Sequence, residues 1–201
     1  MKRRIVAGIA FCLVCLLAYV ASSPLPVGPR PAPTVQAANC LVAISAFPTG
    51  WAIVSGPHSA HDDSHILEDQ KARDFAGVGF APPGTEFPWS VTAGQVIWDL
   101  GNGLHATVAF YTRFRSDRRV ESELSRDLPY RSIVADRFRL DCTYVRGYSE
   151  CVATAQYGPF ISVFSAPIGV EYGMTTDDME YILRAIDERM AQCLGKELPA
   201  E

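Results

Sequence analysis

Phe138-Arg-Leu-Asp-Cys142-Thr-Tyr-Val145, then Arg146-Gly147, then Tyr148-Ser-Glu-Cys151-Val-Ala-Thr-Ala155 is the stretch on which the fold turns. Two runs of strand-forming residues flank a two-residue turn in which Gly147 supplies a positive φ, so the pattern is that of a β-hairpin. Pairing Val145 with Tyr148 places Cys142 opposite Cys151. Counting outward from the turn, this is a non-hydrogen-bonded pair, where Cα atoms approach to roughly 4.5 Å and a cross-strand disulfide is feasible. Four cysteines lie outside the apolar N-terminal stretch, and removing this pair leaves Cys40 to join Cys193, the start of the domain to its end.

Residues 149–157 alternate Val152, Thr154 and Gln156 with Cys151, Ala153, Ala155 and Tyr157, as a sheet with two different faces requires. After Gly158-Pro159 a third strand follows over 160–166, so 137–168 reads as a three-stranded meander. Behind it, Met179, Ile182, Leu183, Ile186, Met190 and Cys193 recur at helical spacing. Thr175-Thr-Asp-Asp178 matches a capping box, Gly195 supplies the stop, and Glu180 with Arg184 is spaced for an ion pair.

Upstream, residues 117–128 fit a helix capped by Ser116 and stopped by Pro129. Val96-Ile-Trp-Asp99 and 104–114 read as two strands joined by Gly101-Asn-Gly103. Trp51-Ala-Ile-Val-Ser55 reads as a short strand, 66–75 as helical, and 81–94 as a loop holding Trp89. The sum is an α+β domain: an antiparallel sheet of about six strands with helices packed on it.

Met1-Lys2-Arg3-Arg4 followed by seventeen uncharged residues has the form of a secretory signal, with cleavage expected after Ser22. Seventeen residues is at the lower edge of a membrane span, so an uncleaved anchor is the alternative. Cys12 and Cys15 are apolar filler in that segment. Five prolines between residues 23 and 38 describe an extended linker, and the domain is expected over 39–196. Without Lys2, Arg3, Arg4 and Arg30, 14 basic side chains face 22 acidic ones, a net charge near −8. That balance excludes nucleic acid and anionic lipid as partners. Localisation is read as secreted or on the outer face of the cytoplasmic membrane.

Gln156-Tyr-Gly-Pro-Phe-Ile-Ser-Val-Phe164, Leu183-Arg-Ala-Ile-Asp-Glu-Arg-Met190 and the turn Pro48-Thr-Gly-Trp51 resemble segments of secreted or lipid-anchored bacterial proteins. The element order is similar to the Mog1/PsbP-like class and to extracytoplasmic sensor-type domains. This resemblance implies a non-enzymatic binding or accessory role, with a small molecule or an envelope protein as partner, and it carries over no site residues.

His58, His61, Asp62 and His65 form the one cluster of metal-type ligands, suited to Zn²⁺ or another divalent transition metal. On a helix His61 and His65 would face one way, and His58 would swing in from a Gly-Pro-bounded turn. The competing reading is a His- and Asp-rich surface loop in which Asp62 or Asp63 caps the next helix, and a third is pH sensing. No H-E-x-x-H, G-x-S-x-G, G-x-G-x-x-G or P-loop pattern occurs, so no catalytic residue and no nucleotide cofactor is assigned. His105 is read as structural. Arg113, Arg115, Arg118, Arg119, Arg126, Arg131, Arg137 and Arg139 concentrate positive charge between 113 and 139, either as a binding face or as a solvated surface offset by nearby acids.

Overall fold

The six strands of a computed structural model are β1 (Ala52–Ser59), β2 (Asp74–Ala81), β3 (Ala93–Asp99), β4 (Arg137–Val145), β5 (Tyr148–Tyr157) and β6 (Phe160–Ile168). They form one sheet in the order β1-β2-β3-β6-β5-β4, antiparallel throughout. The structure describes residues 35–59, 72–84, 93–114, 128–145 and 148–198, all within the compact unit Pro33–Glu201. Of the expected helix over 117–128 and the expected loop over 81–94, residues 117–127 and 85–92, Trp89 included, lie outside the described residues.

The hairpin register is the expected one: Val145 pairs with Tyr148 and Cys142 with Cys151. The Cys142–Cys151 disulfide is formed, with a Cα–Cα distance of 4.0 Å. Both cysteines are buried.

Among the described residues, two α-helices cover opposite faces of the sheet. α2 (Thr176–Leu194) buries Met179, Ile182, Leu183, Ile186 and Met190 in one core with Phe80, Phe160, Phe164 and Ile168. Thr175 accepts from Asp178 N, and Asp178 accepts from Thr175 N in return, so the capping box is closed. Gly195 ends the helix at φ 61°, the left-handed position that glycine tolerates best. The Arg184–Glu180 pair is present at 2.8 Å.

The segment 35–47 joins that core. Its backbone is tied to the sheet by Asp74 Oδ2, which accepts from Ala37 N at 2.8 Å, and by Gln95 Oε1, which accepts from Val42 N at 2.7 Å. Phe47 stacks on Phe80 with ring centroids 4.0 Å apart. Ala37 is fully buried, so ordered packing is already established within the stretch that reads as linker by composition.

Three expectations are corrected. Residues 104–114 do not make a strand, because α1 (Gly103–Thr112) occupies them. Asn102 is its N-cap, accepting from His105 N at 2.7 Å, and Ala106, Ala109 and Phe110 recur at helical spacing against Leu100 and Ile161. Asp74 and Phe75 belong to a strand rather than a helix, and β2 continues through Gly77 and Gly79 to Ala81. A Cβ on Gly77 would stand 3.3 Å from the Phe75 ring, and one on Gly79 3.2 Å from Ser55, so small residues fit where ring and neighbouring strand approach. β1 runs on to Ser59, which puts His58 in a strand and not in a turn.

Candidate functional site

His58 is exposed on β1, and its Nε2 lies 2.9 Å from Ser55 Oγ. His61, Asp62 and His65 lie outside the described residues. Among the described residues, no three His, Cys, Asp or Glu side chains gather as a metal site. His105 sits in the first turn of α1 with Nδ1 3.1 Å from Leu100 O, a structural contact.

The sheet's two faces carry two polar centres. On the α2 side, Asp187 is 4% exposed. Its carboxylate accepts from Tyr130 OH at 2.6 Å, Tyr157 OH at 2.6 Å and Ser132 Oγ at 2.8 Å. Burial first, then the adjacent carboxylate, pushes both tyrosine hydroxyls above their ordinary range. Ser132 Oγ in turn accepts from Ala135 N at 2.9 Å. These bonds fasten the last helix to β5 and to the chain that leads into β4. Three hydroxyl donors converge on this one carboxylate and occupy both its oxygens, which makes a clamp rather than an open position for a substrate.

On the α1 side the centre is Gln156, also buried. Its Nε2 donates to Gly103 O and Gly158 O, each at 3.1 Å, while Oε1 accepts from Arg137 at 3.0 Å. Gln156 thereby sets the start of α1 on the sheet and draws Arg137 towards the helix. The Arg137 guanidinium lies 5.8 Å from the centroid of the Tyr111 ring. Arg139 lies 5.4 Å from the Phe110 centroid, donates to Phe114 O and faces Asp141 at 2.8 Å. That last contact is an ion pair without hydrogen-bond alignment, since Arg139 Nε has no hydrogen-bond partner among the described residues. Two of the arginines in the 113–139 cluster are thus built against α1 rather than left in solvent.

With Ala106, Ala109 and Phe110 turned inward, α1 presents Leu104, Val108 and Tyr111 outward, exposed by 72%, 41% and 59%. They stand at i, i+4 and i+7, one stripe of the helix. α1 contains no Asp, Glu, Lys or Arg. Reading 104–114 as a strand hid this stripe, and the spacing of Asn102 ahead of the 106, 109, 110 series was the signal that could have exposed it.

Cys40 and Cys193 come together. Both are free thiols in this structure, and Cys40 has Cys193 as a hydrogen-bonding neighbour. Among the described residues no helix is long and apolar enough to cross a membrane. No protein-family model matches the chain, and no curated protein or solved structure is similar to it, so the Mog1/PsbP-like resemblance rests on the sequence alone.

Proposed function

We propose that this chain is an extracytoplasmic, non-enzymatic domain that docks a partner protein on the outer face of α1. The observation that carries the reading is the exposed stripe Leu104, Val108 and Tyr111 on a helix whose inner face is already filled. α1 carries large apolar side chains on two sides, and such a helix is ordinarily covered on both. Here the sheet covers only one.

The rim gives the partner's chemistry. Arg137 sits against Tyr111, and tyrosine and arginine are the residue types that concentrate binding energy at interfaces. α1 supplies no carboxylate to answer that cation. The fitting partner is an envelope protein with an apolar ridge flanked by Asp or Glu. A second copy of this chain fits less well, because a two-fold pairing would double the cations on this face and add no carboxylate from α1. The N-terminal signal pattern and the Cys142–Cys151 bond support an oxidising compartment outside the cytoplasm.

The test is site-specific photocrosslinking in intact cells, with a photoreactive phenylalanine at Leu104 or Val108 and a control at exposed Tyr181 on α2. The expected result is a discrete adduct with a different protein from the α1 positions alone, lost when Val108→Asp is combined with the Leu104 probe. No adduct, equal labelling from Tyr181, or an adduct of twice the chain's mass would overturn it.

A further inference from the structure

The two cysteine pairs of this domain differ in access. Cys142 and Cys151 are both buried, and their bond is sealed between two strands. Cys40 ends the 3-10 turn Ala37–Cys40 with no exposed surface, whereas Cys193, in the last turn of α2, is partly exposed. The thiols are neighbours. Cys193 Sγ donates to Asn39 O at 3.1 Å, and Cys40 Sγ donates to Gln36 O at 3.7 Å. Each S–H therefore points into the other's backbone turn or its own, and the two sulfurs share one small site between the start and the end of the domain.

We infer that Cys40 and Cys193 are a second disulfide site, closed after folding by exchange with an external disulfide that enters through Cys193. The Cys193 thiol loses its proton to solvent and attacks a disulfide of the donor, a small-molecule disulfide or a thiol-oxidising protein. One donor sulfur leaves as thiolate with the electron pair of the broken bond. Cys40 then loses its proton and attacks the Cys193 sulfur, forming the Cys40–Cys193 bond and expelling the second donor thiolate. Two protein thiols are oxidised by two electrons, the donor disulfide is reduced to two thiols, and the two protons released are available to them.

The order of steps follows from exposure. Only Cys193 meets solvent, so only it can meet the donor. Cys40 needs no access, because its target is the sulfur beside it. Burial raises the Cys40 thiol far above its ordinary value, so its thiolate is scarce and its attack on the mixed disulfide is the slow step of closure. Closure would tie α2 to the segment 35–47, which the sheet otherwise holds through Asp74, Gln95 and Phe80.

The experiment is exchange of the folded full-length chain with glutathione disulfide, followed by alkylation under denaturing conditions and peptide mapping. The Cys12 and Cys15 peptides are scored separately. In the wild type, loss of alkylation at Cys40 and Cys193 together with a linked 40–193 peptide two hydrogens lighter is expected. Cys40→Ala should stop at a glutathione adduct on Cys193, and Cys193→Ser should leave Cys40 unmodified. Pulsed alkylation of the unmutated folded protein reads the same asymmetry without a substitution, with Cys193 labelled before Cys40. A stable glutathione adduct in the wild type with no 40–193 link, or Cys40 labelled as fast as Cys193, would overturn the inference.

Discussion

Replacing Asp187 by leucine keeps the branched outline of the side chain, with two bulkier methyls in place of the oxygens, and removes the acceptor shared by Tyr130, Tyr157 and Ser132. Two of those donors are buried tyrosine hydroxyls, Tyr157 being 1% exposed. An orphaned buried donor costs about 1–3 kcal/mol, so Asp187→Leu should cost about 2–6 kcal/mol, towards the lower end because Tyr130 OH keeps Leu183 O at 3.3 Å as an acceptor. A domain of this size has about 5–15 kcal/mol in total. The variant should remain foldable with a melting temperature lowered by about 5–20 °C, taking about 2–4 °C per kcal/mol. The control is Asp187→Leu combined with Tyr130→Phe and Tyr157→Phe, which removes the donors as well as the acceptor and should recover most of the loss, since deleting both partners is nearly neutral. Guanidinium denaturation followed by tryptophan fluorescence, with the hairpin disulfide intact, measures both variants. A single variant within about 1 kcal/mol of wild type, or a triple variant no better than the single, would refute the claim that the carboxylate clamps α2 to the sheet.

The same tyrosines set an alkaline limit. Their folded values lie above the ordinary tyrosine value near 10, so their contribution is complete below that pH and is lost as pH rises through the folded values; Tyr157→Phe should flatten this fall in a denaturation series above pH 10. Asp99 behaves oppositely to most carboxylates, because burial raises it despite the Gly101 amide bonded to Oδ1 at 2.7 Å. Stability linked to it is greatest below the ordinary carboxylate value and falls as pH rises through the folded one. Asp99→Asn, which can keep an oxygen for Gly101, should therefore be neutral or stabilising at pH 7 and should reduce the slope of stability against pH on the acid side. Thr175→Ala opens the capping box of α2 and should cost about 1 kcal/mol, read as a shift in denaturation midpoint at unchanged slope.

The C-terminal half was legible because each signal there is local. Arg146-Gly147 reads as a two-residue turn, such a turn implies Val145 opposite Tyr148, and that register fixes which cysteines face each other. The capping box of α2 is likewise complete within four residues. β2 was illegible for the opposite reason: Asp-Phe-Ala-Gly-Val-Gly-Phe-Ala is buried along most of its length between two neighbouring strands, so it shows no alternation, and its glycines, which answer to Phe75 and Ser55, read as loop. α1 was misread because Gly101-Asn-Gly103 serves equally as hairpin turn and as helix cap. Thr107, Val108, Phe110 and Tyr111 favour strands locally, and the packing of Ala106, Ala109 and Phe110 against Leu100 and Ile161 overrides that preference. The Asp187 clamp joins residues 30 to 57 positions apart, a convergence that no local pattern encodes.

The strand order has a mechanical meaning. β1-β2-β3 and β6-β5-β4 are each meanders of sequence neighbours, and among the described strands only β3 and β6 pair across a long separation, from Gly94 with Ser165 to Asp99 with Phe160. The cost of bringing distant chain together falls on that seam. Two copies that traded C-terminal meanders could rebuild the same strand pairs, and the crossing would fall on the connection between β3 and β4. α1 lies in that connection. A protein that grips α1 would therefore act as a brace as well as a ligand, holding both meanders of one chain to each other and opposing their trade between copies.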